Sequence, residues 1–256
     1  MNVAPSHAVE NALHTRSTRR TFRRDLLSAI PDGSAAILLA GLIYAIQVQR
    51  VHAGTDTALL EMPRMLKSGG VWPYSLSQAV GWAALTWSWL TIVLGASLPL
   101  WVWLRRPRLR ATMEHLHRCT SLTLIALMIV HAVALVWDKM GDNLVTVFVP
   151  WMTPYKPGLF PQTLGIVSFY IAVSMGLTFY IRDRVGQRLW RLLHRYAIPA
   201  VYVLAVWHTF LYGSDVKAGN ALRAALWILQ IPIAGAFVVR ILISRRPPAA
   251  RALKAG

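Results

Sequence analysis

Two stretches of this chain share one pattern. Leu116-His117-Arg118 is followed by twelve mostly apolar residues and then His131, and Leu193-His194-Arg195 is followed by twelve more and then His208. In each stretch the histidines stand fourteen residues apart. A helix turns about 100° per residue, so fourteen steps end about 40° from a whole number of turns, and both imidazoles share one face. They are separated along the axis by about 21 Å at 1.5 Å per residue. That is most of a hydrocarbon core of roughly 30 Å. Two such helices side by side present two imidazole pairs, one near each membrane surface.

A flat cofactor that takes a ligand from each side fits between the members of a pair, and haem is the leading candidate. The competing reading is that each histidine is a packed, hydrogen-bonded residue. An unpaired ionisable group is costly inside a membrane helix, which favours function, and the repetition of spacing and of Leu-His-Arg favours it further. His115 stands sixteen residues before His131. That places it about 160° away, on the opposite face, so it reads as an interfacial residue and not as a ligand.

Composition agrees with a membrane setting. Of 256 residues, 55% are hydrophobic and 14% charged, with a mean hydropathy of +0.45. The net charge of +17 raises the question of nucleic acid. The basic residues, however, fall in short clusters between apolar runs, which serves membrane topology better than a nucleic-acid face. Cys119, the single cysteine, excludes an intrachain disulfide and any multi-cysteine metal site. It reads as a small packing residue.

Six hydrophobic segments are expected, at about 34–50, 79–104, 115–137, 163–181, 189–212 and 221–243. They are continuous and near twenty residues, which implies helices and not barrel strands. The first is the weakest, short and interrupted by Gln47 and Gln49, and Pro199 is expected to kink the fifth. Lys and Arg set the orientation. The N-terminal tail, 105–113, 182–191 and the C-terminal tail from Arg240 together hold eighteen, and the alternate side holds seven. The first set is therefore expected to be cytoplasmic.

The expectation is an all-α membrane protein: a six-transmembrane-helix bundle over 31–243, a basic cytoplasmic tail over 1–30 and another over 244–256. Both termini are cytoplasmic, with haems between the third and fifth helices. The tail over 1–30 reads as flexible, with an uncleaved first helix after it. Both histidine helices then run outward, and His117 meets His194 near the cytoplasm while His131 meets His208 near the outer surface.

Arg118 and Arg195 follow the inner histidines. They read equally well as partners for haem propionates and as topology anchors. Of Trp82, Trp87, Trp89, Trp101 and Trp103, most read as interfacial belt residues and not as cofactor contacts. The segment 138–162, with Pro150, Pro154 and Pro157, cannot form a regular helix. Its aromatics either lie on the membrane or roof the outer cofactor.

At this point the chain resembles the ferric reductase-like transmembrane domain. The residues that carry the resemblance are the paired histidines and the run Gly186-Gln187-Arg188-Leu189-Trp190-Arg191-Leu192-Leu193-His194-Arg195. That family includes eukaryotic ferric reductases, NADPH oxidases and the bacterial membrane haem subunit of the methionine sulfoxide reductase system. The resemblance covers segments two to six. It implies b-type haems ligated by His117, His131, His194 and His208, passing electrons across the membrane; a bacterial plasma membrane is the expected location. Only thirteen residues follow Ile243, and no glycine-rich dinucleotide fingerprint occurs. The expected donor is therefore a separate cytoplasmic flavin reductase or flavoprotein, with FMN or FAD at the cytoplasmic face as a further expectation.

The leading expectation is an electron-transfer subunit whose acceptor is an outer-face protein or ferric iron. A quinol-linked respiratory cytochrome b and a haem-free, histidine-lined proton or metal transporter are the alternatives.

Overall fold

The computed structural model describes residues 21–57, 71–137, 143–153, 156–216 and 221–245. Residues 1–20 and 246–256, which hold most of the two expected tails, lie outside the described residues, as do 138–142 and 154–155 of the outer segment. Every regular element among the described residues is helical. Six are long: α1 (Ile30–His52), α2 (Val71–Trp103), α3 (Pro107–Ala134), α4 (Leu159–Thr178), α5 (Gln187–Tyr212) and α6 (Ala221–Arg245). Pro31 and Pro107 occupy the first turns of α1 and α3, where a missing N–H costs nothing. Gly186, at φ 95°, makes the sharp entry into α5 that a side chain would resist.

Among the described residues five spans are long and apolar enough to cross a membrane: Ile30–His52, Val71–Trp103, Pro107–Trp137, Leu159–Val185 and Ala221–Ile243. Helix α5 is not among them. Its arginines and histidines lower its hydropathy, although it is 26 residues long. Ile37, Leu38, Ile228 and Ile231 are exposed on the outer faces of α1 and α6. In a chain with these spans such faces meet lipid, and the protein is an integral, multi-pass membrane protein.

Small residues let the helices approach. Ala36 and Ala40 of α1 pack on Val80, Ala83, Ala84 and Trp87 of α2, with Leu127 of α3 completing the cluster. Ile92, Tyr202 and Ile233 join α2, α5 and α6. Helices α2 and α3 are antiparallel, since Ser77 meets His131 and Thr91 meets His117. Helices α4 and α5 are antiparallel too, since Pro161 meets His208 and Thr178 meets Trp190. The two hairpins face each other across a cavity.

Several polar residues inside the bundle are paired, which offsets the cost of burying them. Gln47, the residue that weakens the first segment, is buried and donates to Gln78 Oε1 at 2.9 Å. Two tryptophans expected in an interfacial belt serve the interior. Trp87 is buried with its Nε1 2.8 Å from Asp32 Oδ2, and Trp82 Nε1 lies 3.4 Å from Asp215 Oδ2. Asp215 is itself buried and also meets Arg50 at 3.3 Å and Thr57 at 3.0 Å. Asp215→Ala strands an arginine and an indole N–H. With Arg50 35% exposed, losing these contacts costs about 1–3 kcal/mol, read as a lower unfolding temperature in detergent.

The end of the N-terminal tail is ordered against the bundle. Residues 21–28 are helical, and Asp25 is buried. Its carboxylate accepts from Arg118 Nε at 2.9 Å and from the Tyr180 hydroxyl at 3.2 Å, while Phe22 packs edge-on against Tyr180. The expectation of a flexible tail fails for this turn, because a carboxylate that neutralises Arg118 has reason to dock. His115 faces Asp25 at 3.7 Å, away from the other histidines.

Candidate functional site

The four histidines come together in two pairs. His117 and His194 have ring centroids 6.1 Å apart and ring planes at 87°. His131 and His208 stand 6.4 Å apart at 80°. One cavity is bordered by all four. The parallel course of α3 and α5 carries equal spacing into equal depth.

Three of the rings are fixed in the same way. His117 Nδ1 lies 2.9 Å from the Thr91 carbonyl, His131 Nδ1 2.7 Å from that of Ser77, and His208 Nδ1 2.7 Å from that of Pro161. A carbonyl only accepts, so each Nδ1 carries the proton and each Nε2 keeps a lone pair. That is how metal-binding histidines are oriented. Ser77 also ties the two helices together, its hydroxyl donating to the His131 carbonyl at 2.8 Å.

Each carbonyl is followed four residues later by a glycine: Ser77 by Gly81, Thr91 by Gly95, Pro161 by Gly165. A helical carbonyl at i points toward residue i+4, so a ring reaching that oxygen passes over residue i+4. A Cβ at Gly81 would lie 2.9 Å from His131 Nδ1, one at Gly95 2.9 Å from His117 Cε1, and one at Gly165 2.9 Å from His208 Nδ1. These glycines were missed by the sequence reading, although a signal existed. Ser77-Gly81 and Thr91-Gly95 are themselves fourteen residues apart, the histidine repeat written backwards on an antiparallel helix.

His194 departs from the rule. Fourteen residues beyond Pro161 and Gly165 stand Met175 and Phe179, and no glycine opens a cradle. The buried His194 Nδ1 has no hydrogen-bond partner. The ring stacks instead on Trp190, at 4.7 Å and 21°, and Trp190 Nε1 donates to Thr178 Oγ1 at 3.2 Å.

Residues 80–206 match the family model described as ferric reductase like transmembrane component. Over this segment the chain is similar to that family. The matched segment runs from within α2 to a point two residues short of His208 and contains the other three paired histidines. No curated protein and no solved structure matches the chain.

The donor set of the two histidine pairs suits a planar metal cofactor. Metal–nitrogen bonds of about 2 Å on both sides of one ion place two imidazole centroids about 6 Å apart, close to both observed separations. Among the described residues no three His, Cys, Asp or Glu side chains gather as a metal cage. A macrocycle that brings its own equatorial nitrogens needs only the two.

The other predicted residues divide. Arg118 borders the space beside His117 but is engaged by Asp25, whereas Arg195 borders the same space. The outer segment corrects the expectation of no regular helix over 138–162: a capping box at Asn143 starts a short helix, Leu144–Phe148, before the first proline, and α4 begins at Leu159. Val147 and Phe148 border the cavity, while Trp151 is exposed.

Proposed function

We propose that this chain is a transmembrane electron-transfer subunit carrying two haems b. His117 and His194 hold the inner iron, and His131 and His208 the outer one. The observation that supports this most is the pair of facing imidazoles at each depth, with three of the four Nδ1 protons committed to carbonyls. Haem supplies one-electron exchange at a bound iron. With an imidazole on each side, the histidines leave no position for a substrate at the metal.

The topology in this reading has six spans, α5 included, because α5 lies beside α3 over the same depth. Both termini are cytoplasmic, as the excess of eighteen basic residues over seven supports. Apolar side chains between the pairs, such as Leu124, Ile125 and Met128 of α3, keep water from the path. The donor is a cytoplasmic flavin or flavoprotein, and the acceptor is an outer-face protein or ferric iron. Arg105, Arg106, Arg184 and Arg188 flank the cytoplasmic ends of the histidine helices and would attract an acidic or phosphate-bearing donor, more weakly as salt rises.

Sided vesicles test the direction of flow. With reduced flavin reductase on the arginine-rich face, the His117/His194 haem reduces before the His131/His208 haem, and an enclosed ferric chelate is then reduced. Neutralising those four arginines together slows the first step without loss of haem. Reduction of the outer haem first contradicts the proposal.

A further inference from the structure

A second space lies on the other side of the inner histidine pair. It is bordered by His117 and His194, by Pro99 and Phe237, and by three arginines: Arg118, Arg195 and Arg240. The first is neutralised by Asp25, whose Oδ2 lies 2.9 Å from its Nε. Among the described residues neither Arg195 nor Arg240 forms an ion pair, and both border this one space. Glu114 also borders the space and pairs with neither. Counting Asp25 and Glu114 against the three arginines still leaves one positive charge. Two like charges around one cavity in a membrane bundle are costly unless an anion joins them.

We propose that Arg195 of α5 and Arg240 of α6 form an anion seat for the carboxylates of the inner haem. This rests on the two-haem reading above. Guanidinium forks match carboxylates in shape as well as charge, and the seat adjoins the His117–His194 gap directly. Arg195 follows a ligand in sequence, and Arg240 closes the seat from a helix that carries no ligand. Among the described residues the outer pair has no counterpart. No lysine or arginine among the described residues borders the cavity at His131 and His208, where Asp215 is the charged residue. A carboxylate on a phospholipid or a phosphate group shares this chemistry, and the test separates these sources.

The test is a redox titration of the purified full chain, with haem transfer to apomyoglobin and phosphorus analysis, for wild type, Arg240→Gln, Arg195→Gln and Arg240→Lys. A nearby cation stabilises the reduced form. Arg240→Gln and Arg195→Gln should each lower the midpoint of the inner haem and leave the outer one in place, and the inner haem should leave about ten times faster or more, as loss of a charge-assisted hydrogen bond implies. Arg240→Lys keeps the charge and should recover most of the midpoint shift, which separates the role from simple misfolding. Three results overturn the seat: an unchanged inner haem, equal shifts of both haems, or an unchanged inner haem with loss of bound phospholipid or phosphate. A wild-type chain without low-spin haem overturns the two-haem reading itself, and so differs from failure of the seat alone.

Discussion

His131→Ala is expected to halve the haem content of the chain and to leave the inner haem intact. The two pairs are separated by about 21 Å along α3, so each should load by itself. His208→Ala should give the same spectrum, and the double variant should be no worse than either single, because the second substitution acts on a site already lost. His117→Ala with His131→Ala should remove both haems, since that combination breaks one ligand in each pair. Pyridine haemochrome assays on the folded, size-selected protein check these ratios. If His117→Ala and His131→Ala gave the same one-haem spectrum, the pairing by depth would be wrong.

Gly81→Ala is expected to empty the outer site as His131→Ala does, and Gly95→Ala to empty the inner one. The sign of this effect is unusual. Alanine in place of a helical glycine is ordinarily stabilising by about 0.5–1 kcal/mol. Gly41 has nothing within 4 Å of an added Cβ, and Gly41→Ala should follow that rule. At Gly81, Gly95 and Gly165 the new methyl meets a histidine ring at 2.9 Å, closer than van der Waals contact allows. The obstacle is a ring whose Nδ1 is anchored to the helix beneath it, so the ring cannot move aside and keep its hydrogen bond. Haem content and unfolding temperature should therefore separate: the helix gains while the site is lost. Unchanged haem in Gly81→Ala would show that the ring has another resting place.

The histidine pairs were legible because fourteen residues nearly close a whole number of helical turns, and this needs no knowledge of neighbouring helices. The six long helices followed from continuous apolar runs. The cradle was harder to see. Gly81 and Gly95 look like any small residues in an apolar helix, and their role depends on the register between α2 and α3. Trp82 and Trp87 misled for a related reason. A tryptophan suits a membrane interface and a buried N–H donor equally well, and only the positions of Asp32 and Asp215 decide between them. Asp25 was lost within a basic, polar tail, although it is the acid that takes Arg118 from the cavity. Arg240 sits near the end of the last helix, where topology alone would explain it.

The central claim is two irons, each held between two imidazoles, and electron paramagnetic resonance of the oxidised, purified chain tests it most directly. The ring planes in the pairs stand at 87° and 80°. Near-perpendicular axial imidazoles give low-spin ferric haem a strongly anisotropic signal. The account predicts two such spins per chain, one lost with His117→Ala and the other with His131→Ala. A single spin per chain, a high-spin ferric signal, or no haem signal would contradict it.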